Sequence, residues 1–152
     1  MLSQLIQMRL VEPRSIHHRT RKKGADHVVQ TRAIGKWQGT QLSALLDHVG
    51  VDPKARFVVF HCLDNMDVDT PYYESVDIEE ARHPQTILAF DLNDKPLPVS
   101  NGAPLRLRVG RQLGYKQAKY IGSIELVDSF GKIGSGNGGY WEDQGYEWYA
   151  GI

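Results

Sequence analysis

The chain has 152 residues, of which 41% are hydrophobic and 24% charged, and its formal net charge is zero. That length and composition suit one sizeable core of soluble type, and the balanced charge gives no reason to expect nucleic acid, a membrane surface or a polyanion as partner. Cys62, the only cysteine, excludes an internal disulfide and any multi-cysteine zinc or iron–sulfur site, and no run of 18 apolar residues offers a membrane span.

Residues 1–36 hold eight Lys/Arg against Glu12 and Asp26, a local excess of six positive charges, and no aromatic residue precedes Trp37. A short amphipathic helix is expected over 1–10. Pro13, His17, His18 and the Arg19–Gly24 run read as solvated connection, with residues 12–26 lacking a core contact of their own. The start lacks the charged lead and apolar stretch of an export signal, so cytoplasmic residence is the default and an exported form stays open.

From Trp37 the pattern sharpens. Thr40 is a candidate cap for a helix carrying Leu42, Leu45, Leu46 and Val49, which Gly50 closes. Arg56–Cys62 is too β-branched for a helix and predicts a buried strand. Asp77 or Ser75 can start a helical turn through Ala81, ended by His83-Pro84. Thr86–Asp91 predicts another strand, followed by turn chemistry at Asn93–Pro96. Leu105, Leu107 and Val109 alternate with Arg106 and Arg108, the period of a strand with one buried face. Ile121–Val127 is also extended. Strands outnumber helices and do not alternate regularly with them, which favours a mixed, strand-rich α+β fold over a doubly wound sheet.

Common catalytic motifs (HExxH, GxSxG, a phosphate-binding GxxxxGK[ST], paired cysteines) are absent from the sequence. Clusters remain. In NGAPLRLRV, Arg106 and Arg108 face one way, and an arginine fork can hold a phosphate, although such arginines are more often solvent-facing. GYKQAKY supplies a glycine, two lysines and backbone amides suited to an anion, though lysines beside a turn are usually just solvated. His27 beside Asp26 and His61 beside Cys62 read as ordinary histidines, with no second ligand at metal-binding spacing. The tail crowds Tyr140, Trp141, Tyr146, Trp148 and Tyr149 together, so it is expected to cover the domain, a second copy or a redox partner.

Taken in order, KWQGTQLSALL, FVVFHCLDN, YYES-x-D, HPQTILAF, NGAPLRLRV, GYKQAKYI and GYWEDQGYEWYAGI resemble the molybdopterin-binding domain of sulfite-oxidase-type oxidoreductases. The resemblance covers residues 33–152, leaving 1–32 as an atypical basic amino-terminal segment, and it implies an amino-terminally truncated form of that α+β domain. It further implies a molybdenum-bearing molybdopterin, two-electron oxygen-atom transfer and a small-molecule substrate or anion. The cofactor contacts it implies are Asn101 and Arg106, a pair five apart at the pterin phosphate, with Gln117, Ala118 and Lys119 from the GYK loop. Asn at the first place is shared with methionine-sulfoxide-reductase-type relatives, where sulfite oxidases have His. Cys62 falls where the family has a small hydroxyl or thiol residue touching the cofactor. The metal-ligating cysteine of the pattern C-x-E-[GT]-W-S aligns with His27, in the sequence HVVQTR. Imidazole is a harder ligand than thiolate, so two readings stay open: an oxidoreductase with an altered metal site, or a non-catalytic relative acting as a binding or assembly module.

Overall fold

The computed structural model describes the backbone at residues 14–21 and 30–152, with side chains from residue 35 onward. In chain order the elements are β1 (Arg14–Arg21), β2 (Gln30–Gln41), α1 (Leu42–Val49), β3 (Phe57–Asp67), β4 (Thr70–Asp77), α2 (Ile78–Arg82), β5 (Thr86–Leu92), β6 (Lys95–Pro96), β7 (Arg106–Val109), β8 (Ile121–Val127) and α3 (Tyr140–Asp143). The expected helix over 1–10 lies outside the described residues.

Two antiparallel sheets form. In the first, β2 lies between β1 and β5, while β6 and β7 both pair with β5. In the second, β3 is central, with β4 on one side and β8 on the other. This is the strand-rich α+β architecture expected from the sequence. Alternation fixes which side chains meet: Val58, Phe60 and Cys62 of β3, Tyr72 and Val76 of β4, and Leu107 and Val109 of β7 join one buried cluster. Leu42 and Leu46 of α1 complete it, each at roughly 1.5–3 kcal/mol for full burial. A second small cluster, on a different set of positions of the first sheet, contains Trp37, Ala89 and Leu97.

Several local expectations need correction. Arg14–Arg21, read as part of a solvated connection, is a strand paired along its length with Gln30–Trp37. Strand β2 begins at Gln30 and spans residues 32 and 33. Thr40 does not cap α1, because it pairs with Leu88 inside β2; Gln41 is the residue before the helix and makes no side-chain cap. Asp77 does cap α2, accepting from the Glu80 amide at 2.6 Å. The strand at Phe57 continues to Asp67, and its partner β4 was not foreseen.

The aromatic tail closes over the second sheet. Trp148 packs edge-on against Phe57, with ring centroids 5.4 Å apart, and donates its indole N–H to Ser75 Oγ at 2.9 Å. Ser75 in turn donates to the carbonyl of Gly138. The glycine-rich loop before the tail is organised by Asp143, whose carboxylate accepts from Tyr73 OH at 2.6 Å and the Ser135 amide at 2.9 Å. Among the described residues no helix is long and apolar enough to cross a membrane.

Candidate functional site

The site grows from a tight turn. Val99–Asn101 forms one turn of 3-10 helix, and Gly102 follows with φ of 107°, a left-handed conformation that glycine adopts freely. A Cβ at Gly102 would also sit 2.9 Å from Lys119 Cβ and Cγ, so the close approach of the two segments requires its absence. Beyond the cis Ala103-Pro104 peptide, β7 runs alongside residues 117–121. Leu107 N–H donates to the Ala118 carbonyl at 2.8 Å, Tyr120 N–H to Gly102 at 3.1 Å, and Ile121 N–H to Leu105 at 2.9 Å.

This backbone pairing brings most of the sequence-predicted residues together. Arg106 Nη1 donates to the Asn101 carbonyl at 2.9 Å, and Lys119 Nζ donates to the Ser100 carbonyl at 3.1 Å, so two cationic side chains converge on one turn. Gln117 lies at the other end, its amide near the carbonyls of Val109 and Gln112 at 3.4 and 3.3 Å, with Oε1 buried and unpartnered. Ala118 is fully buried in the main cluster. Cys62 reaches the same neighbourhood through the backbone, pairing with Ile121, while Leu63 N–H donates to the Tyr120 carbonyl at 2.8 Å. Its thiol is pushed up to about 12, by burial first and then by Asp64 and Glu74, the reverse of what a thiolate ligand needs. His27 lies outside the described residues, and no cluster of three metal-ligating side chains occurs among the described ones.

The two arginines depart from expectation. All four residues of β7 are buried, not one face only, and Arg108 is 2% exposed. Trp37 explains this: the guanidinium carbons of Arg106 and Arg108 lie 4.9 and 4.6 Å from the centroid of its ring. Burial pushes both guanidinium groups down to about 10, and Arg106 depresses Arg108 further. Their Nε atoms are buried without hydrogen-bond partners among the described residues. These orphaned donors, the Gly102 cradle and Lys119 suit the phosphate end of a cofactor.

Sequence reasoning missed a second buried charge cluster. Lys116, expected to be solvated, is enclosed with its ammonium 2.5 Å from Glu74 and 2.6 Å from Glu142. Only the first lysine of GYKQAKY hinted at it. Elsewhere, a groove of about 980 Å³ on the far side of the second sheet is lined by His61, Tyr73, Glu125, Lys132 and Asp143. It contains none of the residues gathered around Arg106. His61, read as an ordinary histidine, pairs there with Glu125 at 2.9 Å.

Residues 4–131 match the family described as the oxidoreductase molybdopterin binding domain. Over 119 residues the chain is 42% identical to a putative protein-methionine-sulfoxide reductase subunit YedZ1 of Azospira oryzae, covering 78% of this chain and 41% of that protein. Over 101 residues it is 39% identical to the protein-methionine-sulfoxide reductase catalytic subunit MsrP of Xanthomonas axonopodis pv. citri, covering 60% of this chain and 31% of that protein. The chain therefore spans less than half the length of these curated relatives. The sulfane dehydrogenase SoxCD of Paracoccus pantotrophus shares the fold, with a TM-score of 0.60 at 19% identity over 77% of this chain and 32% of its own.

Proposed function

The chain belongs to the oxidoreductase molybdopterin-binding domain family, and from that membership we propose that it holds the phosphate end of a molybdopterin in an enzyme of oxygen-atom transfer. The observation that carries this reading is the convergence of Arg106 and Lys119 on the Ser100–Gly102 turn, beside a buried Arg106 Nε with no partner among the described residues. Arg106 supplies a planar fork and Lys119 a point charge, while Gly102 leaves room for close approach. Asn101 accepts from Arg106 in the turn, and Gln117 and Ala118 tie the irregular segment before β8 to the end of β7 and to Leu107. When bound, the cofactor supplies the two-electron chemistry; the protein positions it and tunes its surroundings. Sulfoxides, protein-bound methionine sulfoxide foremost, are the substrate class that the names of the two reductase relatives support.

A second reading is favoured by one observation. The sequence at 27–32 is HVVQTR, with no cysteine, and the chain's only thiol is buried in its protonated form at Cys62. On that ground the domain acts as a binding or assembly module that retains the pterin without a working metal, and the exposed Tyr146 and Tyr149 offer a redox partner or second copy a contact.

One preparation separates the two readings. Protein made in a host able to synthesise the cofactor is assayed for released pterin, for molybdenum and for sulfoxide reduction with an added electron donor. Pterin with stoichiometric molybdenum and turnover establishes the enzyme; pterin without molybdenum or turnover establishes the module. Arg106→Ala should cut retained pterin by tenfold or more, about the value of one charge-assisted contact, and more than Lys119→Ala does. Unchanged pterin content in Arg106→Ala would reject the site.

A further inference from the structure

Arg108 stands at the same Trp37 platform as Arg106 but has no role in the family-type contact set around Asn101, Arg106 and residues 117–119. Its guanidinium cannot shed its charge, and a cation buried without a counter-charge is costly. Among the described residues neither arginine has a carboxylate partner, and the one charge acting on Arg108 is the repulsive charge of Arg106. Stacking on the indole face recovers part of that cost. It also leaves the Nε–H of each guanidinium without an acceptor among the described residues, while Arg106 Nη1 donates to the Asn101 carbonyl.

We propose that Arg108 is a second anion-binding residue, forming with Arg106 and Trp37 a site selective for dianionic phosphoryl groups over monovalent anions. The inference rests on the reading that Arg106 and the 117–119 segment take the phosphate end of the cofactor, and it deepens that reading. One guanidinium neutralises one charge and can pair with any small anion. Two guanidinium groups on one aromatic platform, both lacking counter-ions among the described residues, are matched by a group with two negative charges.

The test uses the full chain and titration calorimetry at fixed ionic strength, with inorganic phosphate and nitrate as probes. In Arg108→Met, which keeps the apolar stem, phosphate affinity should fall at least about tenfold and the preference over nitrate should collapse, the effect of one lost charge-assisted hydrogen bond. The same variant should melt higher than the parent, because an uncompensated buried charge has been removed. A residue with a purely structural role would give the opposite shift. Unchanged phosphate affinity in Arg108→Met overturns the proposal. If affinity and melting temperature fall together, Arg108→Lys decides, since it retains the charge and loses the fork: weakened phosphate binding in a normally melting protein supports the site, and parental affinity overturns it. Pterin retained on purification forms a second arm. Loss in both arms places Arg108 on the cofactor's phosphate, and loss with inorganic phosphate alone places it on a free phosphate. Arg106→Met losing phosphate while Arg108→Met keeps it overturns this inference and leaves the proposed function standing. Phosphate bound through Arg108 in a protein that never acquires pterin does the reverse.

Discussion

Two carboxylates share the single buried ammonium of Lys116, so the cluster of Glu74, Lys116 and Glu142 carries an excess negative charge that its surroundings solvate poorly. The Glu74 carboxyl is pushed up to about 8, by burial above all, with Lys116 pulling it down and Glu142 pushing it further up. Its folded value thus lies above its unfolded one. Between about pH 4.5 and 8 the native state keeps a proton that the unfolded chain releases, and stability falls as pH rises through that window. Below it the penalty is absent, and above it the penalty is complete. The melting temperature measured from pH 5 to pH 8 should therefore decline, and Glu74→Gln, which carries no proton to lose, should flatten the decline; an unaltered slope would dismiss the assignment. At the same scale Gly102→Ala should weaken phosphate binding and stability together, because its Cβ would press on Lys119 and its backbone is left-handed. Single-residue environments were the least legible part of the sequence. Lys116 reads as a solvated turn residue until Glu74, 42 positions earlier, and Glu142, 26 later, arrive around it. Arg108 reads as solvent-facing because a strand's alternation says which side a residue occupies and not what covers that side, here the ring of Trp37.

Elements were more legible where a local signal sufficed. Asp77 marks the start of α2 by chemistry alone, and its side chain caps Glu80. Asp77→Ala should accordingly cost about 1 kcal/mol in denaturant unfolding, and a loss below a few tenths would show that the cap is replaced by water. The alternation in β7, the short β-branched run in β3 and the Asn-Asp turn after β5, with both residues at positive φ, each identify their element without tertiary context. β4 escaped because Pro71 and the charged Glu74 interrupt its apolar pattern, and the buried Glu74 is held there by Lys116 and the Ser75 amide. Thr40 misled as a cap because β2 continues through it against Leu88. The bulge between Gln38 and Gly39 shows how closely these strands approach. A Cβ on Gly39 would lie 2.1 Å from the Leu88 carbonyl oxygen, so Gly39→Ala should disrupt the β2–β5 pairing. Faster amide exchange in β5 would report that disruption, and parental exchange rates would refute it.

At the scale of the molecule, the tail is part of the structure it covers. Removing residues 140–152 takes away Glu142 from Lys116 and Trp148 from Ser75 and Phe57. Losing a packed tryptophan typically costs about 3–5 kcal/mol, equivalent to roughly 10 °C in a domain of this size. The truncated protein should melt lower by at least that much, and an unchanged melting temperature would contradict this placement of the tail. The strand-rich α+β class was readable in the sequence because it depends on the count and order of elements, whereas the pairing of β3 with β8 joins segments far apart in the chain and leaves no local trace. That pairing also has a meaning for a chain made from its amino end. While a ribosome is still adding the glycine-rich loop, the residues just made are held in its exit tunnel, so β8 is withheld and β3 presents a bare edge at Val58, Val59 and Phe60. The emerging polypeptide is most vulnerable to edge-to-edge association with its neighbours at that moment.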